Sequence, residues 1–158
     1  MKKKLTEDLT FFYNGLYPYR SKLVSQKTNL VTLGIGGNIG NVIKTFKQLF
    51  RIFLTDSRFD IIQTSPILKN PPFGFLEQDY FYNAIIVLKT NLYPFELLRQ
   101  MQKYEKRFKR KRSFKDAPRT LDIDIIFFNK IQLNRKNLII PHKDYKNRQS
   151  VMLPLKTL

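Results

Sequence analysis

The chain has 158 residues, with 29 Lys+Arg against 12 Asp+Glu and a formal charge of +17. That length fits one compact domain, and 42% apolar with 14% aromatic residues can fill a core, which excludes wholesale disorder. With no cysteine and His142 as the only histidine, a disulfide scaffold, a thiolate nucleophile, a zinc ribbon and a multi-histidine metal centre are excluded.

Residues 1–28 lack sustained periodicity and are interrupted by Pro18. They read as an N-terminal extension with a short helix over Leu9–Tyr13, ahead of a single domain at 29–158. Lys2-Lys3-Lys4 followed by Thr6-Glu7-Asp8 does not make a signal peptide, and no apolar run approaches the ~20 residues that span a bilayer. A cytoplasmic protein without a membrane partner is expected. Leu30–Leu33 predicts a strand, running into the glycine-rich Gly34–Gly40. Asn41 then caps a helix whose apolar residues Val42, Ile43, Phe46, Leu49, Phe50 and Phe53 recur at three and four. A second strand is predicted over Phe59–Thr64, a proline-rich loop over Ser65–Gly74, and a third strand over Phe81–Lys89. Pro94 opens a second helix with Leu97, Leu98, Met101 and Tyr104 on its apolar stripe. A basic segment, a strand at Leu121–Phe128 and a shorter one near Leu138–Ile140 follow. Because the second and third strands succeed each other without a helix, they pair antiparallel. The expected class is α+β: a ferredoxin-like split βαβ, with a mainly antiparallel sheet and packed helices.

The charge calls for an anionic partner, nucleic acid or a polyphosphate. Nine basic residues lie between Arg99 and Lys115, with Glu105 the only acid among them. Gly34-Ile35-Gly36 opens like a dinucleotide-binding loop, yet Gly37–Gly40 breaks that spacing and no Gly-Lys-Ser or Gly-Lys-Thr occurs. These glycines serve either a tight strand-to-helix turn or direct phosphate contact. More telling is Leu121-Asp122-Ile123-Asp124-Ile125-Ile126, because Asp is depleted in strands. Period two puts Asp122 and Asp124 on one face, with Ile123, Ile125 and Phe127 in the core. Two carboxylates about 5 Å apart repel by about 3 kcal/mol at an effective dielectric of 20. Bound divalent cations or a shared proton would relieve that; the plainer reading is two acids facing solvent. Oxygen-only ligands suit Mg²⁺. An acidic pair directly after a basic loop suits Mg-ATP and phosphoryl-type transfer. A nucleic-acid module would instead expose aromatics such as Tyr80 and Tyr82, and the acids oppose it, so no nucleic-acid partner is expected. Phe81 and Asn83, two apart on a strand, face the same way: either a ring and a carboxamide for a flat heterocycle, or a core Phe beside a turn-forming Asn.

Lys115-Asp116-Ala117-Pro118-Arg119-Thr120-Leu121-Asp122-Ile123-Asp124 resembles the signature of the 6-hydroxymethyl-7,8-dihydropterin pyrophosphokinases. The resemblance runs from about Leu30 to Leu155, through Gly36–Gly40, Pro71–Gly74, Phe81–Ala84 and Pro141–Arg148. It implies transfer of pyrophosphate from ATP to the pterin hydroxymethyl group, releasing AMP, in folate biosynthesis. Two Mg²⁺ ions would be bridged by Asp122 and Asp124. Gln102, Glu105, Arg119, Ile125, His142 and Arg148 would contact ATP, and Lys109 and Lys111 would act from a mobile catalytic loop. Asn70, Pro71, Phe73, Phe81 and Asn83 would bind the pterin. Ser150 stands where the family usually places an aromatic against the second pterin face, Asp116 replaces a loop aromatic, and Lys143 replaces a frequent Tyr.

Overall fold

The computed structural model describes residues 1–158. In chain order the strands and helices are β1 (Lys2–Lys4), β2 (Thr10–Phe12), β3 (Tyr19–Arg20), β4 (Asn29–Gly37), α1 (Val42–Thr55), β5 (Phe59–Thr64), β6 (Ile67–Asn70), β7 (Phe81–Thr90), α2 (Pro94–Arg107), β8 (Asp122–Phe128), β9 (Leu133–Arg135), β10 (Leu138–Ile140) and α3 (Gln149–Leu155). Four of them, in the order β5-β7-β4-β8, are antiparallel throughout and make the expected split-βαβ sheet.

Val31, Leu33 and Ile35 of β4 alternate inward, so one sheet face meets the apolar stripes of α1 and α2. Asn41 caps α1, its Oδ1 accepting the Lys44 amide at 3.1 Å. At the head of α2, Pro94 takes the first turn and the Glu96 carboxylate accepts the Tyr93 amide at 2.9 Å. These helices leave the other face of the sheet for ligands, partly roofed by α3.

Four expectations are corrected. Residues Leu9–Tyr13 hold no helix: Thr10, Phe11 and Phe12 form β2, which pairs with β6 along Thr10–Lys69, Phe11–Leu68 and Phe12–Ile67. Thr and Phe favour a pleated strand, and the free edge of β6 supplies the ladder. The expected loop over Ser65–Gly74 contains β6, because Ser65 only interrupts the ladder. Its amide donates to the Ile85 carbonyl at 2.9 Å and its hydroxyl accepts the Ile85 amide at 2.8 Å, so pairing with β7 resumes past Pro66. Phe127 does not join the main core. The register of β8 against β4 shifts between Ile125 and Phe127, and after this bulge Phe128 points inward while Phe127 packs on Tyr145 at 5.0 Å. Lastly, Gly34, Gly36 and Gly37 are strand residues rather than a turn; within residues 34–40 the one glycine with a positive φ is Gly40, at 75°.

Candidate active site

One row of cross-strand neighbours organises the open face of the sheet. Leu68 of β6 pairs with Asn83 of β7, Asn83 with Gly36 of β4, and Gly36 with Asp122 of β8. The next row pairs Ile85 with Gly34 and Gly34 with Asp124. The two glycines thus separate a carboxamide strand from an aspartate strand, and what they withhold is a side chain. A Cβ on Gly36 would lie 2.5 Å from Asn83 Oδ1, and one on Gly34 would lie 3.2 Å from Ile126 Cδ1. They form the floor of a cleft of about 590 Å³, counting the part open to solvent, lined also by Asn70, Phe73, Phe81, Arg119, Asp122, Asp124, Arg148 and Ser150. Gly37 has a separate task, since a Cβ there would meet the Thr120 carbonyl at 2.7 Å. The close approach lets Asn38 bond the Arg119 main chain twice, its N donating to Arg119 O and its side-chain Oδ1 accepting Arg119 N, each at 2.9 Å. Asn38 Nδ2 meanwhile donates to Gln78 Oε1 at 2.9 Å, joining the 71–80 loop to the same turn.

The aromatic and amide half of the cavity is built from β6 and β7. Asn83 Nδ2 donates to Asn70 Oδ1 at 2.7 Å, and the Asn70 amide donates in turn to the Pro71 carbonyl at 2.9 Å. Phe81 presents its ring beneath the Arg119 guanidinium, 5.0 Å from the centroid, and Arg148 lies 5.0 Å from the exposed ring of Phe73. Ser150 lines this half without contributing a ring. Pro71 does not line the cavity; its carbonyl holds Asn70.

The acidic half lies on β8. Asp122 and Asp124 share the face that sequence alternation assigns them. Asp122 is held by two arginines, Arg110 Nη1 at 2.9 Å and Arg119 Nη1 at 3.4 Å. The Asp124 carboxylate accepts no hydrogen bond, and the one cationic or imidazole nitrogen within 4.0 Å of it is His142 Nε2, at 3.8 Å. Its carboxyl is pushed up to about 8, by burial first and then by the charges of Asp122 and Glu105. The 38% of this side chain that stays accessible opens onto the cavities, where a ligand would complete its surroundings. Burial together with Arg148 lowers the His142 pKa, which keeps that ring neutral.

Glu105 of α2 is 3% exposed, and burial raises its pKa. Its Oε2 accepts the amide of Ile123, between the two aspartates, at 2.8 Å, and its Oε1 accepts from Arg112 at 2.9 Å. It therefore faces the strand rather than the cavity. Gln102 lies exposed on α2 and reaches neither cavity, and Lys109 and Lys111 point to solvent without partners. The basic segment engages the site through Arg110 and Arg112, which sequence reasoning missed. Lys109 adopts a φ of 61°, and the next residue, Arg110, reaches Asp122 on β8 while Arg112 pairs with Glu105 of α2.

A second cleft, of about 640 Å³ counting the part open to solvent, lies beside β8 and is lined by Asp124, Ile125, Leu138, His142 and the basic residues Lys136 and Lys143. Asp124 belongs to both cavities.

A family model described as 7,8-dihydro-6-hydroxymethylpterin-pyrophosphokinase (HPPK) matches residues 32–158. Proteins called 2-amino-4-hydroxy-6-hydroxymethyldihydropteridine pyrophosphokinase are among the relatives. That of Campylobacter jejuni is 45% identical over 145 residues, 92% of both chains. The Helicobacter pylori relative is 47% identical over 130 residues, 81% of this chain and 80% of the relative. In Bacillus subtilis the identity is 32% over 127 residues, covering 80% of this chain and 76% of the relative.

Proposed function

This chain belongs to the 7,8-dihydro-6-hydroxymethylpterin-pyrophosphokinase family, and from that premise we propose how its two cavities divide the reaction. The protein transfers pyrophosphate from ATP to 6-hydroxymethyl-7,8-dihydropterin, a step of folate biosynthesis. The pterin oxygen attacks the β-phosphorus, the bond from that phosphorus to the α,β-bridging oxygen breaks, and AMP leaves with the bridging oxygen. The hydroxyl proton passes to solvent.

The observation that carries the assignment is the placement of Asp124 on both cavities. The half with Phe81, Asn83, Asn70 and Phe73 takes the pterin: a ring to stack on its plane, carboxamides to bond its edge. The cavity with Ile125 and His142 takes the nucleoside, and the phosphates lie between them over β8. Arg148 and Arg119, now stacked on Phe73 and Phe81, are placed to turn to the phosphates. Lys109 and Lys111 are free to fold inward from the 109–118 segment once phosphate arrives. Closure would exclude water from the reacting groups.

The donor set at β8 fits Mg²⁺. Asp124 is a carboxylate without a hydrogen-bond donor, and hard cations of this size take one or two carboxylates with substrate phosphates and water. We assign Asp122 and Asp124 as the protein ligands of two such ions. When bound, these would neutralise phosphate charge and lower the pKa of the attacking hydroxyl. Arg110 must leave Asp122 Oδ1 before a cation can take that oxygen.

Analysis of the nucleotides formed from ATP, pterin and Mg²⁺ tests this reading. AMP, produced in step with pterin diphosphate, is expected. ADP as the nucleotide product would overturn it.

A further inference from the structure

The cross-strand row through the active site extends past the family match. Residues 32–158 carry that match, yet the row continues outward from Asn83 to Leu68 and from Leu68 to Phe11 of β2. Leu9, Phe11 and Leu68 form a buried cluster of their own on the ligand-binding face. Leu153 of α3 packs against that cluster, three residues beyond Ser150 and two beyond Val151, both of which line the pterin cavity. The same N-terminal segment reaches the start of β7 on two further sides. Tyr80 Oη, beside Phe81, donates to Asp8 at 2.8 Å. On the opposite sheet face Phe12 packs on Tyr82 with ring centroids 5.9 Å apart. None of these contacts touches β8.

We infer that the N-terminal strand is the outer brace of the pterin half of the site and that Phe11 is a positioning residue for pterin affinity. This rests on the assignment of that cavity to the pterin. Directly opposed side chains on neighbouring strands lie about 5 Å apart and pack against each other. Phe11 fixes Leu68, Leu68 stands against Asn83, and Asn83 carries the carboxamide that reads the ring edge. Through Leu153 the same cluster sets the height of α3 over the cavity. A brace on this side acts first on the pterin: it stiffens Asn70, Asn83 and the Ser150–Val151 wall and leaves the β8 strand with Asp122 and Asp124 alone.

The test measures pterin and Mg-ATP dissociation constants separately in full-length variants. Phe11→Ala is expected to weaken pterin about fivefold or more, with Mg-ATP affinity within about twofold of the parent. Phe11→Val, which keeps a strand-forming residue and part of the packing, gives an intermediate value and covers the case in which Ala does not fold. Phe11→Leu is expected to restore most of the affinity. Tyr17→Phe is the stability control: its buried hydroxyl donates to the Phe46 carbonyl at 2.8 Å on the helix side, so it lowers the melting temperature without moving pterin affinity. Pterin affinity unchanged in the folded Phe11 variants, or lost equally in Tyr17→Phe, would overturn the brace. Asn83→Ala separates the two readings. If it weakens pterin while the Phe11 variants do not, the brace alone fails. If Asn83→Ala leaves pterin binding intact, the assignment of the cavity fails and takes the brace with it.

Discussion

Glu105 Oε2 accepts the main-chain amide of Ile123 at 2.8 Å, and Ile123 is the residue between Asp122 and Asp124. β8 lies at the edge of the sheet, so this amide has no neighbouring strand to pair with, and a helix side chain supplies the acceptor instead. The contact fixes the strand segment whose two side chains the chemistry uses.

Replacing Glu105 by Ala would leave a buried donor unpaired, at a cost of about 1–3 kcal/mol. Because the freed segment carries both proposed metal ligands, turnover should fall by about 10- to 100-fold. Glu105→Gln keeps an acceptor for Ile123 and loses only the charge facing Arg112, so it should recover most of the activity. Thermal unfolding and steady-state kinetics on the two variants check this, and equal effects from both would contradict it.

Gly36→Ala places a methyl group 2.5 Å from Asn83 Oδ1, which forces the carboxamide aside. The predicted result is a pterin KM raised by about tenfold or more, the equivalent of one lost hydrogen bond, with the Mg-ATP KM little changed. Kinetics with each substrate varied in turn decide it; a rise in the Mg-ATP KM alone would move the glycine floor to the nucleotide side.

The Asp124 carboxyl titrates at about 8 in the metal-free protein, far above an unfolded Asp. The native state therefore binds the extra proton, and the stability of the metal-free protein falls as pH rises from about 4 through about 8. A divalent cation needs the carboxylate, so its binding releases that proton and its affinity rises with pH until about 8. Calorimetric titration of Mg²⁺ with a non-hydrolysable ATP analogue, in buffers of different ionisation heat, should show proton release at pH 7 that Asp124→Asn abolishes. Affinity independent of pH between about 6 and 8 would contradict the assignment.

The parts of the site written in local sequence were legible. Two Asp in an apolar strand stand out against strand propensity, and strict alternation placed them on one face. Phe81 and Asn83 were paired by the same rule. What stayed hidden depends on distance across the fold. Gly34 and Gly36 read as a turn because their reason, Asn83 and Ile126 on neighbouring strands, is tertiary. Likewise β2 read as a short helix in the N-terminal extension, because the β6 edge that gives it a ladder is distant in sequence. That Arg110 meets Asp122 beside a positive φ at Lys109 is likewise tertiary, and a run of like charges does not reveal it.

The measurement that reaches the centre of the account is AMP formation by Asp122→Asn and Asp124→Asn. Each change keeps the side-chain volume, relieves the carboxylate repulsion and removes one negative charge from the face that holds the phosphates and cations. Both variants are expected to fold and to bind pterin within a few-fold of the parent, because Phe81 and Asn83 lie on β7, while AMP formation falls by about 100-fold or more. Near-normal AMP formation by both folded variants would contradict it.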